Sequence, residues 1–242
     1  MKKKLVFSTG AGMSAESGIT TFREAGGLWE NYPVMDVASA DGFRRNPALI
    51  HKFYNERRAQ LFQVEPNDGH RAIAALEDLY DVYVITQNVD NLHERAGSSN
   101  VVHLHGELDK VRAIDDESLV WKLDKAHCET SPETVIEGHH VRPHIVFFQE
   151  AVPNFEPAVK LVQEADIFVI IGTSLAVYPA ASLLHYVRAG VPVYYIDPRP
   201  ATVPEGVYVI AQGASQGLET LTGILTGQRT EAVGRGQRAR RL

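Results

Sequence analysis

The sequence predicts an α/β fold in which a parallel β-sheet is covered by helices on both faces. The first observation is a series of apolar, β-branched runs, which are typical of strands buried on both sides. The second is that helical patterns separate many of these runs, as they do between parallel strands. The third is that two stretches interrupt the alternation, which indicates that insertions form a smaller lobe.

The predicted strands end in small or polar residues, and ligands bind beyond such strand ends in parallel sheets. The strands span residues 4–8, 81–86, 101–105, 167–172, 191–197 and 207–211, and helical patterns cover 70–76 and 157–164. The insertions are residues 25–69, rich in helix and turn signals, and the polar residues 107–142. We therefore expect a main domain of residues 1–24, 70–106 and 143–226, a small lobe of 25–69 and 107–142, and a disordered basic tail of 227–242.

Composition argues against several classes of protein. With 44% hydrophobic residues, 22% charged residues and a net charge of -6, the chain is typical of globular proteins and lacks the basic surplus of nucleic-acid-binding ones. No apolar run approaches the length of a membrane span, and the run after Lys4 is too short for a signal peptide. Cys128 is the single cysteine, which excludes an intramolecular disulfide. We expect a cytoplasmic protein.

A glycine-rich turn follows the first predicted strand. Gly10, Gly12 and Ala15 fit the G-x-G-x-x-G/A pattern of Rossmann-type folds, whose backbone approaches a pyrophosphate closely. The next helix is expected to offer unpaired N–H groups to phosphate. Such a turn can also be purely structural. The acidic residue usual after the second strand is missing, and Asp197 either binds an adenosine ribose in its place or forms a turn before Pro198.

Polar side chains gather at the ends of two other predicted strands. Gln87, Asn88 and Asp90 follow residues 81–86, and the run 101–105 ends in a histidine, where an aliphatic residue would pack better. Because the carboxyl ends of parallel strands meet at one edge of the sheet, this location favours a functional site.

Six segments stand in a consistent order along nearly the whole chain before the tail. They are GAGMSAESGI at 10–19, FR at 22–23, TQNVDNLH at 86–93, HGE at 105–107, RPHIV at 142–146 and GTSLAVYPAA at 172–181. Together they resemble the sirtuin family of NAD-dependent protein lysine deacylases. The resemblance implies a Rossmann-type domain, a smaller lobe, and a cleft that NAD and an acyl-lysine protein or peptide enter from opposite sides. It also implies the products free lysine, nicotinamide and O-acyl-ADP-ribose.

The resemblance assigns roles to individual positions. Phe22 is expected near the nicotinamide, and Arg23 on the pyrophosphate, which a planar guanidinium matches. Asp90 is expected to bind the carboxamide, and the two residues before Val89 to position the nicotinamide ribose. The expected cofactor-binding positions, Asp197 included, are Gly10, Ala11, Gly12, Ser14, Ala15, Phe22, Arg23, Gln87, Asn88, Asp90, His105, Gly172, Thr173, Ser174 and Asp197.

His105 is the expected general base, with Asn88 and Asp90 as further catalytic residues. The reaction needs a group, neutral near pH 7, that takes a proton from a ribose hydroxyl after the acyl oxygen has displaced nicotinamide. A buried structural histidine is the alternative, and it is the better interpretation of a lone histidine. Here the residue precedes Gly106 and lies within a full set of matching segments, which favours catalysis. His103, on the same strand face, is expected to be structural.

The second insertion departs from the family pattern. Many sirtuins hold zinc there with two pairs of cysteines, whereas residues 107–142 contain only Cys128. The nearby histidines lack tight paired spacing, and we interpret them as solvated loop residues: His127, His139 and His140. We predict no metal and a lobe held by packing alone, with apolar anchors such as Leu119, Val120 and Trp121.

Residues 146–150 are expected to bind the substrate peptide. Val146, Phe147 and Phe148 should lend backbone groups to an extended chain by strand addition. Gln149 stands where the family usually has glycine, which is expected to change the local turn.

A helix in the first insertion is expected to select the acyl group. Asn46 and Pro47 indicate its start, and Tyr54 and Arg57, three residues apart, share a face. The pair resembles the Tyr-x-x-Arg of sirtuins that remove succinyl and malonyl groups, and Ala25 leaves room for the acyl chain as in that subgroup. A solvated helix face is the alternative interpretation.

Two other functions are open at this point. A protein ADP-ribosyltransferase would cleave NAD at the same bond, but His105 and the peptide segment favour deacylation. A non-catalytic NAD-binding sensor would keep the glycine turn and Ser174 but would tolerate loss of His105 and Asn88, both of which are present.

Overall fold

The computed structural model describes residues 1–19 and 32–228 and, in the tail, one short strand. The strands are β1 (Lys4–Thr9), β2 (Asp81–Thr86), β3 (Val101–His103), β4 (Gly106–Ala113), β5 (Val120–Lys122), β6 (Val135–Ile136), β7 (His139–Ile145), β8 (Ile167–Ile171), β9 (Val193–Ile196), β10 (Tyr208–Ile210) and β11 (Gly234–Arg235). The described α-helices are α1 (Gly12–Ala15), α2 (Val34–Val37), α3 (Ala40–Arg45), α4 (Pro47–Leu61), α5 (Asp68–Ala75), α6 (Leu92–Arg95), α7 (Phe155–Glu164) and α8 (Ala214–Leu225). Short 3₁₀ helices span Leu76–Asp78 and Ala180–Tyr186.

The larger sheet has the strand order β11-β10-β9-β8-β1-β2-β3. Each neighbouring pair from β10 to β3 is parallel, and β11 runs antiparallel to β10. Every strand predicted from the sequence overlaps one of these parallel strands. The predicted α/β fold with a Rossmann-type parallel sheet is therefore confirmed.

Successive side chains of β1 point to opposite faces of the sheet, and each face has its own core. Leu5 and Phe7 belong to the cluster that includes residues of α5 and α8. Val6 belongs to the cluster on the other face, with residues of α7. Burial on both faces is why this strand is a continuous apolar run rather than an alternating one.

The first insertion is helical where it is described. The Asn46 side chain caps α4 by accepting a hydrogen bond of 3.0 Å from the Leu49 N–H, and Pro47 is the first helical residue, as predicted. Phe53 of α4 is buried in one cluster with Phe147, which follows β7. The helix therefore packs against the segment expected to bind substrate.

The second insertion forms an antiparallel sheet with the order β5-β4-β7-β6. Val111, Leu123 and Val141 form its core, and Trp121 packs against them. Trp121 is thus one of the predicted anchors. Leu119 and Val120 lie outside this core, and the prediction was wrong for Val120, which is 38% exposed. Neighbouring residues on a strand face opposite sides, so β5 buries only one of the two.

Packing alone does not hold the small lobe together, contrary to the prediction. Arg58 of α4 is completely buried and donates from Nε to the Leu108 carbonyl at 2.8 Å and from Nη1 to the Cys128 carbonyl at 2.5 Å. Asn55 donates to the Thr130 carbonyl at 2.8 Å and accepts from the Thr130 N–H at 3.1 Å. Hydrogen bonds from one helix therefore fix the loop around Cys128.

The tail differs from its predicted disorder at one place, where Gly234–Arg235 pairs with β10. Residues 229–233 and 236–242 lie outside the described part of the chain. Among the described residues, no helix has the length and apolarity needed to cross a membrane.

Candidate active site

The turns after β1 and β8 pack backbone against backbone. The Gly10 N–H donates to the Ile171 carbonyl at 2.9 Å, and the Gly12 N–H donates to the Gly172 carbonyl at 2.8 Å. A Cβ atom on Gly12 would lie 2.7 Å from the Gly172 Cα, and one on Gly172, whose φ is +61°, would lie 2.4 Å from the Met13 nitrogen. Glycine is required at both positions because this approach leaves no room for a side chain.

The helix after this turn does not offer its first N–H groups to a ligand, contrary to expectation. Helix α1 is a single turn of 4 residues. The Gly12 N–H is bound to Gly172, the Met13 N–H donates to the Gly10 carbonyl at 2.9 Å, and the Ser14 N–H donates to the Ala11 carbonyl at 3.1 Å. Phosphate binding by this helix would therefore depend on other groups of the turn.

Ser14 connects the glycine turn to the polar residues after β2. Asn88 donates from Nδ2 to the Gly10 carbonyl at 3.0 Å and to the Ser14 Oγ at 3.1 Å. Because the Ser14 oxygen accepts this bond, its hydroxyl proton is free to point to the Asp90 carboxylate, which lies at 2.8 Å. The three side chains therefore have fixed donor and acceptor directions.

Asp90 is a buried carboxyl group, only 5% exposed. Burial raises its pKa, while the Ser14 hydroxyl and the Leu92 N–H, which donates to Oδ1 at 3.2 Å, act in the opposite direction. A buried carboxylate with two protein donors has further lone pairs. It can accept hydrogen bonds from an amide group of a ligand.

His105 follows β3 and presents one ring nitrogen for chemistry. Its Nδ1 lies 3.0 Å from the Gln87 carbonyl, which can only accept, so Nδ1 carries the proton and Nε2 is the unprotonated nitrogen of the neutral ring. Burial lowers the pKa of His105, and the Gln87 contact opposes that shift only in part. The imidazole is therefore mainly neutral at pH 7, as a general base must be.

The turn after β8 forms the other side of the site. Gln87 donates from Nε2 to the Thr173 Oγ1 at 3.3 Å, and the Tyr195 hydroxyl donates to the Thr173 carbonyl at 2.8 Å. Asp197, after β9, accepts from the Arg199 N–H at 2.8 Å, which is the turn-forming contact weighed as one of its two interpretations. Gly10, Gln87 and Thr173 thus bring the ends of β1, β2 and β8 together.

Comparison with known proteins identifies the architecture around this site. Residues 10–179 match the family model described as the Sir2 family. The chain belongs to the Sir2 family. It is 55% identical over 229 residues to an NAD-dependent protein deacylase of Bacteroides thetaiotaomicron, covering 92% of this chain and 98% of that one. It is 49% identical over 221 residues to an NAD-dependent protein deacylase of Helicobacter pylori, covering 90% and 96%.

Solved structures of Sir2 homologues share the fold. One is a homologue in complex with NAD, with a TM-score of 0.83 and 35% identity, covering 93% of this chain and 90% of that one. Another, a mutant homologue with 2′-O-acetyl ADP ribose, has a TM-score of 0.83 and 35% identity, covering 96% of each chain. The predicted sirtuin resemblance is confirmed, and this Sir2-family chain is an NAD-dependent protein deacylase with NAD as its cosubstrate.

Tyr54 and Arg57 are not on a solvated helix face. Tyr54 is 6% exposed and the Arg57 side chain 20% exposed. Burial raises the pKa of Tyr54 and lowers that of Arg57. Among the described residues, the Arg57 Nε and Nη1 atoms are buried without a hydrogen-bond partner, and the Glu56 carboxylate lies 3.7 Å from Nη2. The guanidinium lies over the Phe53 ring at 4.5 Å.

The peptide segment departs from the expectation of strand addition at Phe148. The Phe147 N–H donates to the Glu150 carboxylate at 2.8 Å. Phe148 donates to the Ala38 carbonyl at 2.8 Å and accepts from the Ala40 N–H at 3.1 Å, forming a bridge opposite Ser39. The backbone groups of Phe148 therefore already have partners. Its side chain is 47% exposed and is the part of this residue available to a substrate.

Gln149 adopts the backbone conformation that explains why glycine is usual at this position. Its φ is +76°, in the left-handed region. Its carboxamide accepts from the Asp41 N–H at 3.1 Å and donates to the Asp41 carboxylate at 2.7 Å. The side chain thus fastens the turn to α3, which a glycine could not do.

Arg142 and Glu150 are a pair that the sequence did not reveal. Arg142 donates from Nη1 and Nη2 to the two Glu150 oxygens at 2.6 and 3.1 Å, and its guanidinium lies 3.9 Å from the Phe147 ring centre. Glu150 in turn holds the Phe147 N–H. The pair therefore fixes the segment expected to bind substrate. The available signal was the arginine that begins the matching segment at 142–146.

Three predicted site residues, Phe22, Arg23 and Ala25, lie outside the described part of the chain. The candidate metal ligands of the second insertion have other partners. His127 contacts Asp124 at 3.1 Å, and His139 contacts Asp115 at 2.9 Å. His140 Nδ1 lies 3.2 Å from the Pro132 carbonyl. With a single cysteine, this Sir2-family chain lacks a zinc-binding cysteine cluster.

Proposed function

We propose that this Sir2-family deacylase removes succinyl and malonyl groups, besides acetyl groups, from lysine side chains of proteins. The observation that carries the proposal is the Arg57 guanidinium, half-buried, with two nitrogen atoms, Nε and Nη1, that lack partners in the described chain. Leaving a buried donor unsatisfied costs about 1–3 kcal/mol, and more for a charged group. A ligand carboxylate would satisfy one of these buried groups by a charge-assisted hydrogen bond.

Tyr54 supports the same assignment. It lies three residues before Arg57 on α4, and its ring centre is 6.0 Å from that of Phe147 in the substrate segment. Burial keeps its hydroxyl protonated, so the group can donate a hydrogen bond to a carboxylate at neutral pH. A phenol and a guanidinium on one helix face suit an acyl chain that ends in a carboxylate.

The catalytic roles are proposed from the arrangement at the strand ends. The acyl oxygen attacks C1′ of the nicotinamide ribose, the bond to nicotinamide breaks, and nicotinamide leaves. His105 Nε2 then takes the proton of a ribose hydroxyl, whose oxygen attacks the imidate carbon. Water completes the release of lysine, and the acyl group stays on ADP-ribose. The fixed directions of Asn88 and Asp90 support their roles at the ribose and the carboxamide.

The proposal extends to the partner and the location of the chain. Acyl-lysine proteins are the proposed partners. A solved Sir2 homologue described with deacetylated p53 peptide and 3′-O-acetyl ADP ribose, 29% identical with a TM-score of 0.80, supports this choice. A cytoplasmic location is proposed from the sequence, which has one cysteine.

The test is a set of matched peptides that carry succinyl-, malonyl-, acetyl- or unmodified lysine, incubated with NAD. We expect nicotinamide release from the three acylated peptides and not from the unmodified one, with O-acyl-ADP-ribose identified by mass. ADP-ribose attached to the peptide would support the transferase instead. Absence of release with every acyl group would overturn the proposal.

A further inference from the structure

Two histidines hold the backbone of the residues after β2. His105 Nδ1 contacts the Gln87 carbonyl at 3.0 Å, and His103 Nδ1 contacts the Asn88 carbonyl, also at 3.0 Å. Carbonyl oxygens only accept hydrogen bonds, so both Nδ1 atoms carry protons. The two rings therefore fasten two consecutive peptide groups of the active-site turn.

His103 differs from His105 at its other ring nitrogen. His103 Nε2 lies 2.7 Å from the Glu94 carboxylate, and the His103 side chain is only 6% exposed. A carboxylate is also an acceptor, so Nε2 carries a proton as well. With acceptors at both nitrogens, His103 is an imidazolium ion, whereas His105 is neutral.

The charges around His103 agree with this assignment. Burial opposes the charge, but the hydrogen bond to Glu94 and the charges of Glu94 and Glu107 outweigh burial and raise the pKa of His103. Lys110 balances Glu107, with 2.6 Å between Nζ and the carboxylate. Farther groups that also interact with His103 are the buried Asp90 and His93.

Glu94, His103 and Glu107 have the residue types of a metal site, but a protonated His103 explains their contacts better. Ligand atoms of Glu94, His103 and Glu107 lie within 4.8 Å of one another. However, His103 Nε2 is used by Glu94, and Glu107 is paired with Lys110. A hydrogen-bonded ion pair accounts for all of these contacts.

We propose that protonated His103, fixed by Glu94, is a positioning residue for NAD. It holds the Asn88 carbonyl, while the Asn88 side chain binds Gly10 and Ser14. Asn88 is thereby fixed at both ends and presents a constant surface to the nicotinamide ribose. The inference rests on the role proposed for Asn88 and does not depend on the acyl preference.

Deprotonation of His103 breaks this arrangement in a definite way. The neutral ring has one N–H, which either acceptor can take. A hydrogen bond to a carboxylate is stronger than one to a neutral carbonyl, so the proton stays on Nε2 and faces Glu94. The Asn88 carbonyl then faces a lone pair, and Asn88 loses its backbone anchor as the pH rises through the raised pKa of His103.

The first test compares KM for NAD against pH in the wild type and in Glu94→Gln, with a saturating acyl-lysine peptide. In the wild type we expect KM to rise about tenfold at alkaline pH, the size of one lost hydrogen bond to a charged group. In Glu94→Gln the side-chain amide donates to Nε2, so neutral His103 keeps its proton on Nδ1 and the rise disappears. Glu107→Gln is the control: it removes a charge near His103 but keeps the His103–Glu94 hydrogen bond. This variant should still show the alkaline rise in KM for NAD.

The second test uses two shape-related variants at constant pH 7. The Nδ2 of His103→Asn corresponds to the histidine Nδ1 and can still donate to Asn88, whereas His103→Leu donates nothing. We expect KM for NAD near the wild-type value in the first and about tenfold higher in the second. If His103→Leu does not fold, Glu94→Gln still decides the question.

The outcomes separate this proposal from the proposed function. An alkaline rise that persists in Glu94→Gln, or equal KM values for His103→Asn and His103→Leu, would overturn the positioning role while deacylation stands. A wild type inactive with every acylated peptide would instead overturn the proposed function.

Discussion

Arg57 and Arg58 are neighbours on α4, and their hydrogen bonds separate the proposed ligand-binding residue from a structural one. Arg58 donates from Nε and Nη1 to backbone carbonyls and to Asn55 at 2.9 Å, leaving Nη2 without a partner in the described chain. Arg57 leaves both Nε and Nη1 without one. Both residues are arginines at adjacent positions of one helix, so the contacts made in the folded chain are what separate the two.

We predict that Arg58→Met destabilises the protein without changing its choice of acyl group. Burial lowers the pKa of Arg58 to about 10, so the group is still charged at pH 7, and its loss leaves the Leu108 and Cys128 carbonyls without donors. Breaking such a buried network costs about 2–4 kcal/mol in the free energy of unfolding. Urea denaturation measures it. An unchanged midpoint would show that Arg58 does not anchor the lobe.

For His105 we predict an acid limb of kcat/KM that lies below the ordinary histidine pKa of about 6.5. Burial lowers the pKa of His105, so the base is lost only when the pH falls through that lowered value. The His105→Ala variant should lose turnover and keep the wild-type melting temperature. A limb centred above pH 7, or a variant that keeps most of its activity, would contradict the assignment.

For Gln149 we predict that alanine is less stable than glycine. Both variants lose the contacts with Asp41, but alanine must adopt φ near +76°, where its Cβ costs about 1–2 kcal/mol. In a comparison of the melting temperatures of Gln149→Ala and Gln149→Gly the lost contacts cancel, and we expect the strain to outweigh the smaller unfolded-state entropy of alanine. Equal melting temperatures would mean that the turn relaxes to another conformation.

At the scale of the elements, the sequence predicted the larger sheet well and the smaller one poorly. Strand β2 has the predicted bounds because burial on both faces makes the whole run apolar. The predicted strand 101–105 ends at His103 because the chain turns there and β4 begins at Gly106. In the second sheet, strands as short as Val135–Ile136 contain too few residues to show a period.

The same limit applies to the candidate site. Strand-end polar residues such as Asn88, Asp90 and His105 were predicted because position along one strand and motif order are visible in a sequence. The partners Glu94 and Glu150 were not, since their pairing with His103 and Arg142 depends on how the fold orients these side chains. Arg58 was missed because its acceptors are backbone carbonyls 50 and 70 residues away.

In the whole molecule, His105 lies where the chain passes between the two sheets. Gly106, with φ of +85°, begins β4, and a Cβ there would lie 2.1 Å from the His144 carbonyl oxygen. The returning strand is tied to the same point, since the Val146 N–H donates to the His105 carbonyl at 3.0 Å. The proposed base is thus held both where the chain enters the second sheet, at Gly106, and where it leaves that sheet, at Val146. Helix α4, with Arg57, packs against the segment that follows.

The most direct test of the central claim is the ratio of kcat/KM for a succinyl-lysine peptide to that for the matching acetyl-lysine peptide, measured for the wild type and Arg57→Met. A charge-assisted hydrogen bond is worth about 1.5–3 kcal/mol, so we predict that the ratio falls by about one to two powers of ten. Deacetylation should change much less, because an acetyl group has no carboxylate, and Arg58→Met should leave the ratio unchanged. If Arg57→Met lowered both activities equally, Arg57 would be structural and the acyl-carboxylate site would be contradicted.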